Sequence, residues 1–253
     1  MPRVSLIDYT GAGSPDPLYA ARILAFTKNT RLKMSPGGLR GFMDSLIMSD
    51  ADILAEVAYM ATTIPSSWEF ADVTFLVENV SRATAQQITR TRTASFAMQS
   101  QRVTDMSDVT WDRVGRDAFE ADRHDSRMRN AIKRYSEAVE EGMPLEDARD
   151  LLPIGVHCNL VNKYNLRGLV ELCRARDSLR VQGPFRDVCA QMKGEVLRVW
   201  PWAAPFFVPP QAAAIEIIEG VAKELAALEN LRGALYKGMS GRLAKAADLV
   251  KKG

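Results

Sequence analysis

What this chain has little of narrows its chemistry. Of 253 residues, three are cysteine and two are histidine. Cys158, Cys173 and Cys189 are odd in number and show no C-x-x-C spacing, which argues against a disulfide framework and against the common zinc patterns. His124 and His157 stand in unlike contexts, and no acidic triad occurs at ligand spacing, so no metal site is expected. No Gly-x-Ser-x-Gly elbow is present. Each cysteine lies among apolar residues, where a free thiol is usually buried and inert, so a cysteine nucleophile is not expected. Aromatic residues make up 8% and the net charge is only +2, without an aromatic and basic platform, so nucleic acid is not an expected partner. No apolar run is long enough for a bilayer, and the start Met1-Pro2-Arg3-Val4-Ser5 does not read as a secretory leader. No membrane association is expected, and the cytoplasm is the expected compartment.

The patterning that is present predicts short strands at residues 4–8, 73–77 and 153–160. It predicts helices at 18–26, 50–60, 81–87, 115–141, 165–174 and 185–199, with a loop at 35–38. Asp16 is a candidate cap for the first helix, and Gly142 stops the long one. Trp200-Pro201-Trp202 breaks the helix before it, and an alanine- and leucine-rich helical extension follows from about residue 211. Helices mixed with few, scattered strands predict an α+β fold, with helices around a small antiparallel sheet in a single domain over 1–253.

The densest chemistry lies at 87–102. This segment holds Arg90, Arg92 and Arg102, the amides Gln87, Gln99 and Gln101, several hydroxyls including Ser100, and no acid. It reads neither as a helix stripe nor as a clean alternating strand. Arginine offers a planar fork that takes phosphate or a conjugated ring in two parallel hydrogen bonds. With no neighbouring carboxylate to consume those forks, the segment is suited to holding anions.

Arg90-x-Arg92, seven residues, then Ser100, followed by Arg102, resembles the signature of the flavin-dependent thymidylate synthases. A second block agrees with the same family: Arg149 before Leu152-Pro153, then Asn165-x-Arg167, Arg176 and Gln182. A weaker match places Ser66 and Glu69 in the loop before the motif strand, and the resemblance covers roughly residues 50–200. It implies a homotetramer of α+β subunits binding FAD where subunits meet. It also implies reductive C5-methylation of a uridine monophosphate, with methylenetetrahydrofolate as carbon donor and NADPH as reductant. Carried over residue by residue, it assigns the nucleotide to Gln87, Arg90, Gln99, Ser100, Gln101, Arg102 and Arg149. The flavin falls to Ser66, Glu69, Arg90, Thr91, Arg92, Asn165 and Arg167, and polarisation of the uracil carbonyl to Arg176, which also contacts substrate.

The chain departs from the family pattern at several positions. Thr91 replaces a histidine, Ala97-Met98 an Asn-Glu pair, Val103 a tyrosine, Glu171 an asparagine and Pro184 a glutamate. These departures resemble one branch, the UMP/dUMP C5-methylases of polyoxin biosynthesis, and Ala-Met removes bulk and polar atoms that a ribose 2′-hydroxyl would otherwise meet. Two alternatives stand beside this reading: a thymidylate synthase acting on dUMP only, and a catalytically silent flavin- or nucleotide-binding homologue.

Overall fold

The computed structural model describes residues 2–32, 37–63, 65–176, 183–209, 218–221 and 223–224. By internal contacts the chain divides into a unit spanning 1–205 and a second spanning 206–253. In the second unit, 218–221 and 223–224 are helical; the remaining positions of the expected extension, Ala222, Leu225 and Leu228 among them, lie outside the described residues, as does Gln182.

The first unit is built on four antiparallel strands. β1 (Arg3–Tyr9), β2 (Asp72–Ser81), β3 (Ala94–Met98) and β4 (His157–Asn165) lie in the order β1-β2-β4-β3. Alternation along β2 sends Val73, Phe75 and Val77 inward, and along β4 it sends Cys158, Leu160, Asn162 and Tyr164 inward. Three helices cover that face: α4 (Arg82–Ile88), α7 (Leu166–Arg176) and α8 (Gly183–Val199). They contribute Ile88, Leu169, Val170, Phe185, Val188, Met192 and Val196, all essentially inaccessible to solvent. Fully burying one such side chain is worth about 1.5–3 kcal/mol, so this layer is the principal core.

Before β2 the chain forms α1 (Tyr19–Leu32), α2 (Gly38–Leu46) and α3 (Asp50–Met60). Asp16 accepts from the Leu18 amide at 2.9 Å, which supplies the expected cap. The helix α2 was not expected: its Gly37-Gly38 start disfavours helix intrinsically, and packing of Phe42 on Phe26 of α1 (ring centroids 5.3 Å apart) overrides that preference.

Between β3 and β4 lies a helical lobe. Its long helix α5 (Ala118–Glu140) is capped by the Asp117 carboxylate and ends at Gly142, whose φ of 92° suits glycine. Met128, Ile132 and Tyr135 of α5 pack on Met106, Val109, Leu152 and Val156. The short α6 (Leu145–Ala148) and a 3-10 turn, Arg149–Leu151, close the lobe.

Two strand expectations need correction. The strand expected at 153–160 starts at His157 and runs to Asn165; Pro153, which cannot donate to a ladder, lies outside it. The segment read as lacking regular structure contains β3, an edge strand paired to β4 from Ala94↔Tyr164 to Met98↔Leu160. Its inward face, Ala94, Phe96 and Met98, is apolar but short, and the small Ser95 and Ala97 opposite give it little contrast.

Candidate functional site

Because β3 pairs with β4, the two sequence blocks become neighbours although more than sixty residues separate them. The candidate residues then fall into two groups, at opposite ends of β3. Four strand steps separate those ends, roughly 13 Å at about 3.3 Å per residue.

At the β3 start, Thr93 lies against the first turn of α7. A Cβ added to Gly168 would come within 3.1 Å of Thr93 Oγ1 and 3.3 Å of Asn165 Oδ1, so glycine permits the close approach. Asn165 Oδ1 accepts from the Gly168 amide at 2.8 Å, which caps α7 and fixes the side chain. Arg167 donates to Glu69 Oε1 at 2.7 Å and to Glu171 Oε1 at 2.8 Å, and the two carboxylates hold its pKa above the ordinary arginine value. Glu69 lies on the 3-10 turn Pro65–Phe70 together with Ser66, whose hydroxyl accepts from Arg31 at 3.3 Å. Thus Ser66, Glu69, Asn165 and Arg167 gather at one end, with Thr91 and Arg92 leading into it.

At the β3 end, the Gln99 amide donates to Asn159 O at 2.9 Å, and Gln99 Oε1 accepts from the Asn159 amide at 3.2 Å. Arg82 donates to Gln99 O at 3.2 Å. A bulge in β2 puts Asn79 at a φ of 56°, and its amide donates to Asn159 Oδ1 at 3.0 Å. Ser100 Oγ accepts from the Arg102 amide at 3.2 Å and Ser100 O from the Thr104 amide at 3.2 Å, so 100–104 is a tight turn. Tyr135 pins the next stretch by accepting from the Met106 amide at 3.0 Å. Arg102 pairs with Glu146 at 2.7 Å; Arg149 follows Glu146 by three residues, which brings it to the same neighbourhood. No acid lies inside the arginine segment, and the one that reaches it comes from another element.

Among the described residues, Arg90, Arg92 and Arg149 are exposed and meet no carboxylate. Gln87 lies half-buried on α4, and Gln101 is half-buried in the turn. Arg176 belongs to neither group. It ends α7 with its guanidinium 5.1 Å from the Phe185 ring centroid and faces Cys189.

Sequence reasoning missed Arg82, Asn159, Glu146 and Tyr164. Asn159 carried no signal, because it works through its backbone bonds to Gln99 and a side-chain bond from the Asn79 amide, contacts that no local pattern encodes. Tyr164 is fully buried and stacks edge-on against Phe96. Its hydroxyl lies toward Thr91 and Asn162 without hydrogen-bond geometry to either, and burial drives its pKa upward. The thiols behave as expected of buried cysteines: burial raises Cys158, and Cys189 is pushed up to about 12, against the pull of Arg82 and Arg176 respectively. His157 is buried, with Nδ1 2.9 Å from Thr110 Oγ1, consistent with a structural role.

The family model described as Thy1, thymidylate synthase complementing protein, matches residues 5–202. The chain belongs to this family. Over 204 residues it is 28% identical to the flavin-dependent thymidylate synthase of Geobacter sulfurreducens, covering 79% of this chain and 84% of the relative. It is 32% identical over 154 residues to that of Haloarcula marismortui, covering 49% of this chain and 62% of the relative. The fold is shared with the UMP/dUMP methylase PolB from Streptomyces cacaoi, crystallised with 5-Br dUMP. That likeness has a TM-score of 0.60 and 21% identity, over 82% of this chain and 94% of that one.

Proposed function

We propose that the protein is a flavin-dependent enzyme that methylates C5 of a uridine monophosphate, UMP or dUMP, with FAD as cofactor, methylenetetrahydrofolate as carbon donor and NADPH as reductant. The observation that carries this reading is the pairing of β3 with β4, which joins both motif blocks around arginines that meet no carboxylate. Names borne by relatives in the same family point the same way. The residues fit a flavin. Arg90 and Arg92 offer free guanidinium forks to a diphosphate, and the Thr93–Gly168 contact sets a firm wall beside them. Bound flavin would supply the reducing equivalents.

The chain's own side chains supply binding and polarisation. Ser100, Gln101, Arg102 and Arg149 hold the 5′-phosphate, with Gln87, Arg90 and Gln99 toward the nucleoside. Arg176 donates to the uracil carbonyl as negative charge builds on the ring, so no thiol need add to the pyrimidine. Because the two groups stand at opposite ends of β3, we infer that one copy's phosphate end is completed by another copy's cofactor end, in a homotetramer. Use of UMP would direct the product toward nucleoside antibiotics, since DNA synthesis requires only the deoxy form. The test is incubation of flavin-loaded protein with methylenetetrahydrofolate and NADPH, offering UMP and dUMP separately. A 5-methylated nucleotide is expected; no product from either would overturn the reading.

A further inference from the structure

Beside α5, away from both groups, lies a concavity of about 500 Å³ lined by Val114, Gly115, Arg116, Glu120, Arg123, His124 and Arg127. Its floor depends on Gly115. A Cβ there would sit 2.3 Å from the Ala121 amide nitrogen, so only glycine lets the loop lie flush on the helix. We propose that this concavity is a second anion site, which binds a phosphate-bearing small molecule.

The charge pattern of α5 carries the argument. Two cations of the helix and two of the loop before it are balanced by nearby acids. Arg113 pairs with Asp122, Arg116 with Glu120, Arg129 with Asp125, and Lys133 with Glu137. Arg123, Arg127 and Arg134 of α5 are in no ion pair among the described residues; of these, Arg123 and Arg127 line the concavity, and they stand one turn apart on the same face. Like charges at that spacing repel and destabilise a helix. Glu120, the acid that lines the concavity, is already engaged by Arg116, so the walls keep the charge of two free guanidinium groups. His124 lies between them in sequence and lines the same space. Its Nδ1 is shielded from solvent and has no partner, which is a cost in a folded chain. Two planar forks at one concavity match the several oxygens and the double charge of a phosphoryl group. The exposed Val114 at the rim offers an apolar surface beside them.

The test is calorimetric titration of inorganic pyrophosphate into FAD-saturated full-length protein carrying Arg102→Ala and Arg149→Ala, so that flavin occupies the forks of Arg90 and Arg92 and the substitutions silence the nucleotide site proposed above. Saturable binding of one pyrophosphate per chain is expected. Adding Arg123→Ala and Arg127→Ala should weaken it by at least about tenfold, the factor that one charge-assisted hydrogen bond carries. Arg129→Ala removes the same charge from the same helix but outside the concavity, and should leave the affinity unchanged. Titration with ADP separates the sources: tighter binding than pyrophosphate would assign the site to nucleotides, and equal binding to free phosphates. No saturable binding, unchanged affinity in the Arg123 and Arg127 variant, or an equal loss in Arg129→Ala would overturn the proposal. All three arginines are exposed, so the substitutions leave the core intact.

Discussion

At the start of β3, Arg167 spends its guanidinium on Glu69 and Glu171; at the other end, Arg149 meets no carboxylate and Arg102 meets one, borrowed from α6. The first end is fixed by protein groups alone. Its asparagine is consumed as a helix cap and its glycine is in close contact, so little needs to move when a planar ring system docks. The second end is fixed through backbone bonds between Gln99, Asn159 and the 100–104 turn, while its positive charge stays available. The first end has its own arginine neutralised and its shape set, with free charge only on the approach through Arg90 and Arg92; the second keeps free charge at the turn itself. That is the division expected between a cofactor that stays and a phosphorylated substrate that comes and goes.

The comparison is most exposed at Arg176, which stands at neither end. If it stabilises charge that develops only as C5 attacks, Arg176→Ala should lower kcat about a hundredfold or more, as loss of an oxyanion donor does. Arg176→Lys should rescue only part, since a point charge lacks the planar fork. Single-turnover rates at saturating nucleotide decide this, and a near wild-type rate would remove Arg176 from the chemistry.

A smaller effect should separate the two ends. Arg149→Ala and Arg102→Ala should each raise KM for the nucleotide about tenfold, the worth of a charged hydrogen bond. The loss should shrink with added salt. Flavin absorbance of the purified variants should be unchanged. A loss of flavin on replacing Arg149 would mean that the ends do not work independently.

The third effect concerns sugar choice, and here β3 sharpens the sequence reading. In a strand, neighbours point to opposite faces. Ala97 lies on the exposed face, whereas Met98 is half-buried beside Leu160, so the pair does not act as a unit within one chain. Ala97→Asn alone should lower kcat/KM for UMP relative to dUMP about fivefold, the lower end of the cost of crowding or unpairing a hydroxyl. Met98→Glu should instead lower Tm, because it brings a carboxylate toward the core face. An unchanged ratio in Ala97→Asn would detach this position from sugar recognition.

That refinement shows what was legible in the sequence and what was not. Helices with periodic apolar faces were readable: 50–60 coincides with α3, and the Met128, Ile132, Tyr135 stripe marks the buried side of α5. Around Arg90 and Arg92 the lack of acids in the segment has its counterpart in the fold: among the described residues neither guanidinium is in an ion pair. The edge strand was not readable, because its apolar face, Ala94, Phe96 and Met98, spans only five residues beside small Ser95 and Ala97, and the conformation is set by pairing with β4. Nor were Glu146 and Asn159, which act through contacts 44 and 60 residues away that no local pattern encodes.

The smallest expected effect is none at all on turnover, and it concerns the thiols beneath the arginines. Cys158 lies within reach of Arg82, which donates to the Gln99 carbonyl, and Cys189 lies beside Arg176. A cation lowers a thiol pKa and would favour thiolate, the usual route to a reactive cysteine. Burial opposes this and wins in both places: Cys158 is raised, and Cys189 reaches about 12. Raising a thiol pKa favours the neutral form, so at pH 8 Cys189 is overwhelmingly the protonated thiol. Cys158→Ala and Cys189→Ala should therefore keep kcat within about twofold, while Tm falls by a few degrees, roughly 1 kcal/mol for lost packing. Iodoacetamide at pH 8 should leave the native enzyme active. Rapid inactivation that dUMP prevents, together with a dead Cys189→Ala variant that still holds flavin, would instead place a nucleophile beside Arg176 and reverse the assignment of charge stabilisation to the arginine alone.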